Sequence, residues 1–348
     1  MPSVVSIGTA LPEHSYTLSD VLSVGSEWLE GQPRNLELFR KFVTSSKTEN
    51  RNFILPADEI LNIGGMEGRS KLFEAFAAPL GVKSLREALR HAGTIDNDAI
   101  KSLIFTSCSC PSIPSVDGLM IENLELPRTI NRIPMYQHGC AGGVVGLRLA
   151  AELSKTQGIV ALSSVELCSL VFQRQNPSGA QLVGAAIFAD GAASALVSPE
   201  ERGLVIRGSQ SYLIPQSRHL MGYDILDDGF HLRLDRNLPQ ALVDIAPERI
   251  RTFLAAHQLT HDEISYWLFH PGGTKILDFL ESNLALRPGQ APWARQVLTT
   301  IGNLSSATVL FVLKAFLDSK VYKRGDKIVM VGVGPGLTLE LILFEWVD

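Results

Sequence analysis

Short apolar runs alternate with longer amphipathic stretches along this chain, and that rhythm predicts an α/β protein. IKSLIFTSCS (100–109) and GIVALSSVEL (158–167) are brief, apolar and bounded by polar or glycine-containing breaks, as buried strands are. ISYWLF (264–269) is a further apolar segment, and LTLELILF (337–344) alternates as a strand does. KSLREALRHAG (83–93) has apolar residues at helical spacing and stops on a glycine.

Two segments share one plan. In the first half, a turn at Cys140 leads into the small-residue helix AGGVVGLRLAAELSK and then the strand GIVALSSVE. In the second, IGN (301–303) leads into LSSATVLFVLKAFLDSK, a charged gap and the strand KIVMVGVG. The repeat suggests an internal duplication and puts Cys140 and Asn303 at equivalent helix starts. Its boundary falls near SPEERGLVI (198–206), giving expected halves at 1–199 and 200–348.

Composition narrows the class. The 348 residues are 45% hydrophobic and 19% charged, which suits a core-rich globular protein rather than a disordered chain. A net charge of -5 offers no overall basic field, so no nucleic-acid partner is expected. The start, MPSVVSIGTALPEHSY, lacks a basic segment followed by a long apolar one, and no run reaches a membrane-spanning length. The expectation is a cytoplasmic protein with no membrane span. Four cysteines, Cys108, Cys110, Cys140 and Cys168, are too few for a disulfide framework and are expected reduced. The Cys108-Ser109-Cys110 spacing is not that of a zinc knuckle, so no metal is expected.

Three positions carry candidate chemistry. Cys140, in YQHGCAGGVVGLRL (136–149), is either a buried structural thiol or a nucleophile at a helix N-terminus, where dipole and free N–H groups favour a thiolate. His270 ends ISYWLF and precedes PGG; it is either a packing histidine or a reactive group displayed at a strand end. Asn303 is either a helix N-cap or a neutral amide donor aimed at a developing oxyanion. VGVGPG (331–336) runs into a strand rather than a helix, which rules out a dinucleotide fingerprint.

Taken together, GCAGGVVGLRLA, FHPGGTKIL and GNLSSATVLFVL resemble the catalytic motifs of the type III polyketide synthases, the chalcone synthase-like family. VELCSLVFQ (165–173), IFADGAASALV (187–197) and VGVGPGLTLE (331–340) extend the resemblance nearly end to end. It implies a thiolase fold, a five-layered αβαβα sandwich of two related halves, normally a homodimer. It implies a catalytic triad of Cys140, His270 and Asn303, acting on an acyl-CoA starter and malonyl-CoA. Cys140 as thiolate, paired with protonated His270, would take the acyl group. His270 and Asn303 would stabilise the enolate formed as malonyl-CoA loses CO2. VGVGPG becomes a turn that scaffolds the site. No cofactor is expected, because the CoA thioesters are substrates.

The same resemblance assigns a pocket and a CoA mouth. Phe188 and Phe230 match the family's gatekeepers, while Cys108, Ser109, Cys168 and Ser305 would line the cavity. Met221 stands where plant chalcone synthases have a pocket glycine and would narrow or redirect it. Lys47 and Arg40, with Gly272 and Gly273, would contact CoA. VELCSLVFQ looks more like alkylpyrone and alkylresorcinol synthases, and 211–235 is similar to phloroglucinol-forming members. An aliphatic starter and a pyrone, resorcinol or phloroglucinol product are therefore expected. The alternative is a single-round ketoacyl-ACP synthase III-like enzyme, against which HPGG, rather than HQAN, counts.

Overall fold

The apolar runs assemble into one mixed sheet in the computed structural model, which describes residues 1–93, 95–175 and 177–348. Its nine strands run in the order Asn131–Tyr136, Ile100–Ser107, Ile159–Leu167, Asp190–Ser198, Ser3–Ala10, Leu204–Leu213, Thr338–Trp346, Lys327–Gly334 and Ile264–Phe269. Ile100–Ser107 pairs in parallel with both its neighbours, and Ile104 and Leu162 face each other across one pair. Its near-unbroken apolar sequence follows from that, because a parallel strand is covered on both faces.

The strand order repeats. In the first half, Asp190–Ser198 runs antiparallel to Ile159–Leu167 and to Ser3–Ala10. In the second, Thr338–Trp346 runs antiparallel to Lys327–Gly334 and to Leu204–Leu213. The two halves meet edge to edge where Ser3 faces Val205 and Val4 faces Leu204.

Helices complete the layers. Met66–Ala92 packs on the first-half strands, and Leu238–Ala256 on the second. Gly142–Gln157 and Thr308–Ser319 lie between, each touching strands of both halves. Two helices can approach this closely only where side chains are absent. A Cβ on Gly143 would lie 2.3 Å from the Ser306 carbonyl oxygen, which explains the small residues after Cys140.

The sequence pattern locates most of these elements but shortens one. The helix read at 83–93 begins at Met66, its earlier turns obscured by Gly68, Pro79 and Gly81; it closes at Gly93 in the left-handed region, φ +67°. Among the described residues, no helix is long and apolar enough to cross a membrane.

Candidate active site

Parallel strands display reactive groups at their carboxyl ends. Here Ile100–Ser107 ends at Cys108, Asn131–Tyr136 leads by a short turn to Cys140, Ile159–Leu167 ends at Cys168, and Ile264–Phe269 ends at His270. Cys140 sits in a single helical turn, Gly139–Ala141, that runs into Gly142–Gln157. The turn is tight: Gly139 has φ +51°, and a Cβ there would lie 2.5 Å from the ring of Pro335. Gly334 likewise abuts Ala141 and His138, so VGVGPG does pack on the cysteine turn.

Cys140, His270 and Asn303 line one cavity of about 510 Å³, together with Cys108, Phe188, Met221, Ser305, Gly272 and Gly273. Both ring nitrogens of His270 are buried and without hydrogen-bond partners among the described residues. Leu304 caps the turn Ser305–Ala307 and Ala307 the helix Thr308–Ser319, so the helix N-cap role does not fall to Asn303. Its Oδ1 accepts from the Ser305 amide at 2.9 Å and the Thr308 hydroxyl at 3.3 Å, which holds the turn and leaves Nδ2 to donate into the cavity.

The electrostatics differ from the ion pair expected. Desolvation pushes the Cys140 thiol up to about 11, although the residue keeps partial exposure to the cavity. Desolvation lowers His270 to about 4. Cys140's recorded partner is the Ser305 hydroxyl at 3.5 Å, not the imidazole. Burial thus disfavours both charged forms, thiolate and imidazolium. The Ser305 hydroxyl and the cysteine's own backbone N–H favour the thiolate and oppose the burial effect.

Beside the cysteine lies a carboxylate that sequence reasoning passed over. Glu166 is fully buried and accepts from the Ser109 and Ser306 hydroxyls, the Cys108 amide at 3.1 Å and the Ser107 hydroxyl at 3.3 Å. Burial raises its pKa, while these hydrogen bonds pull it back. The available signal was an acidic residue inside an otherwise apolar strand.

Other expected positions fall elsewhere. Ser109 is buried in the Glu166 cage, also accepting from the Leu167 amide, and does not line the cavity. Phe230 is 3% exposed and packs edge-on against Tyr223 at 5.6 Å; it lies one step too far along its strand, and Leu232 and Leu234 face the cavity instead. Cys168 lines a second, smaller cavity. Arg40 and Lys47 do not line the cavity, although Ser45 and Ser46 of the same helix do: Arg40 donates to the Ser26 hydroxyl at 3.2 Å, and Lys47 ends its helix facing solvent. Lys275 and Arg236, which the motif reading missed, are exposed at the cavity mouth. No cluster of potential metal ligands occurs among the described residues.

Fold and site together define a thiolase-fold condensing enzyme. The profiles for the chalcone and stilbene synthases match throughout, the N-terminal domain over residues 2–200 and the C-terminal domain over 205–348. The chain belongs to this family and is a type III polyketide synthase, an acyltransferase of decarboxylative condensation. It is 30% identical to a phloroglucinol synthase of Pseudomonas fluorescens over 96% of each chain. It is 31% identical to a 1,3,6,8-tetrahydroxynaphthalene synthase of Streptomyces peucetius, covering 99% of this chain and 93% of that one. The crystal structure of the tetrahydroxynaphthalene synthase of Streptomyces coelicolor superposes with a TM-score of 0.94 at 27% identity, over 99% of both chains. The ketoacyl-ACP synthase III alternative finds no support in these comparisons.

Proposed function

We propose that Cys140 carries the acyl chain, and that His270 and Asn303 serve both its loading and the carbanion chemistry that extends it. The observation that carries this is one apolar cavity lined by a thiol, an imidazole without partners and an amide whose oxygen is already engaged. Because burial disfavours both charged forms, His270 acts first as general base. It takes the thiol proton as sulfur attacks the acyl-CoA carbonyl, and the Cys140 N–H supports the oxyanion. The C–S bond to CoA breaks, and the departing CoA sulfur takes the proton from His270, which is neutral again.

Malonyl-CoA then enters. Loss of CO2 leaves an electron pair on the α-carbon, delocalised onto the thioester oxygen, where Asn303 Nδ2 and the N–H of neutral His270 donate. The carbanion attacks the acyl-cysteine carbonyl, the C–S bond to Cys140 breaks with the sulfur leaving as thiolate, and the chain, now on CoA, has grown by two carbons. We assign CoA phosphate contacts to Lys275 and Arg236 at the mouth rather than to Arg40 and Lys47, with the Gly272–Gly273 backbone beside the pantetheine arm.

The starter is aliphatic, and the product a pyrone, resorcinol or phloroglucinol; the apolar lining supports the first, and the likeness to a phloroglucinol synthase supports the last of the three products. The working unit is a homodimer. Ile113, 95% exposed, and Leu119, 45% exposed, supply an apolar face for that contact. Mass spectrometry of products from malonyl-CoA with acetyl- to palmitoyl-CoA tests the scheme. Products spaced by two-carbon units and lost in Cys140→Ala are expected; products that persist in that variant would refute it.

A further inference from the structure

Arg51 is buried without a counter-ion. It is 1% exposed, and burial alone lowers its pKa, to about 10, so it stays charged at neutral pH with no carboxylate beside it among the described residues. A buried, unpaired cation is costly, and its retention calls for a reason.

The hydrogen bond its side chain makes supplies one. Nη1 donates to Ala185 O at 3.0 Å, while Nη2 has no partner among the described residues. Ala185 lies in the last turn of the helix Gly179–Ile187, where carbonyls lose their intrahelical donors and the dipole favours a cation. In a helix carried one residue further, the donor to Ala185 O would be the Ala189 amide. Here that amide donates instead to Asn303 O at 3.0 Å, and the Asn303 amide donates to Ile187 O at 2.9 Å. Arg51 thus occupies the carbonyl that would compete for the amide holding Asn303.

Neighbours of Arg51 meet the same turn. The Glu49 amide donates to Thr299 O at 2.8 Å. Gly302, at φ +93°, has no room for a side chain: a Cβ there would lie 3.1 Å from Ile187 O, 3.2 Å from the Ala189 Cβ and 3.6 Å from the Cγ2 of buried Thr48. Residues 48–51, 185–189 and 299–303 therefore close on one another around the Asn303 backbone.

We propose that Arg51 is a positioning residue for decarboxylation: by occupying Ala185 O it keeps the Ala189 amide on Asn303, and so fixes the aim of Asn303 Nδ2 at the thioester oxygen. The inference rests on the donor role given to Asn303 above. Without Arg51, Ala185 O recaptures the Ala189 amide, so the helix gains a bond that the Asn303 backbone loses. A donor moved slightly off line costs rate rather than substrate affinity.

The test is malonyl-CoA decarboxylation, followed as CO2 release, in wild type, Arg51→Met and Arg51→Lys, with each substitution also made beside Asn303→Asp. Arg51→Met should lower kcat about tenfold while KM for malonyl-CoA stays within about twofold of wild type. Beside Asn303→Asp, which has no donor left to aim, it should cost less than about twofold. Arg51→Lys keeps a donor for Ala185 O and should recover most of the loss.

A folded Arg51→Met with wild-type kcat, or a loss undiminished beside Asn303→Asp, overturns the inference. If Arg51→Met does not melt cooperatively, Arg51→Lys decides. A kcat loss there that vanishes beside Asn303→Asp supports the inference; one that persists, or no loss at all, makes Arg51 a residue of the fold alone and overturns it. Asn303→Asp that releases CO2 at the wild-type rate would overturn the donor reading of Asn303 itself, and the inference with it.

Discussion

Ser305 places its hydroxyl 3.5 Å from the sulfur of Cys140, and it does so from a left-handed backbone, φ +46°. The same oxygen lies 3.2 Å from the sulfur of Cys108. A buried serine held at positive φ is strained, and strain of this kind persists where the surroundings over-determine it. The Asn303 side chain, accepting from the Ser305 amide, is one such determinant.

Ser305 stabilises the Cys140 thiolate against a burial effect that raises the thiol to about 11. Ser305→Ala should move that value higher and slow alkylation of Cys140 by iodoacetamide several-fold at a given pH, by analogy with one lost hydrogen bond to a charged group. The pH dependence of the alkylation rate is the readout. An unchanged profile would mean the hydroxyl contributes only packing.

Asn303 has separable duties. Asn303→Asp keeps the oxygen that accepts from Ser305 and Thr308 but removes the amide donor. Malonyl-CoA decarboxylation should fall by about 10²–10³ while thermal stability stays near wild type. Asn303→Ala should lose both. Measuring CO2 release beside the melting temperature distinguishes donor from turn.

His270 is held neutral down to about 4, below its ordinary 6.5, because burial disfavours the charged form. On unfolding it takes up a proton near 6.5. Native stability is thus complete above 6.5 and declines as pH falls towards 4, by on the order of 3 kcal/mol. His270→Gln should flatten this acid limb. Urea midpoints at neutral pH and at about pH 4.5 for both proteins check it, since other titrating groups are common to the two.

Lys275→Ala and Arg236→Ala should raise KM for malonyl-CoA several-fold, and more at about 50 mM than at about 500 mM salt. Lys47→Ala and Arg40→Ala should change it less. Steady-state kinetics on the four variants decides between the two sets of cations. An effect confined to Lys47 would restore the helix to the CoA site.

Much of the chemistry is legible in the sequence because the fold presents it at strand ends. Cys140 and Asn303 each follow a glycine and His270 precedes Pro271-Gly272-Gly273, at points where an apolar run stops, and turns of that kind leave a local signature. The Glu166 cage is different, since it joins residues from 107 to 306 through hydroxyls that have no shared motif. Phe230 shows the limit of reading by register: the strand face is right, but Phe230 is packed against Tyr223, the cross-strand partner of Leu232, and it is Leu232 and Leu234 that line the cavity. The second, smaller cavity is assembled from the helices Leu18–Trp28 and Pro33–Ser46 and the 168–188 region, and no single stretch encodes it.

The repeated strand order gives the catalytic turns a common ancestry of position. The helix after Cys140 and the helix after Asn303 are counterparts, and Gly143 on one meets Ser306 near the other without intervening side chains. The candidate site thus lies at a seam, with Cys140 contributed by one half of the sheet and His270 and Asn303 by the other. Neither half holds a complete set, so the seam must close before any chemistry begins. The two peptides 1–199 and 200–348 would be mute apart, and any tool that restored their union would restore speech to both.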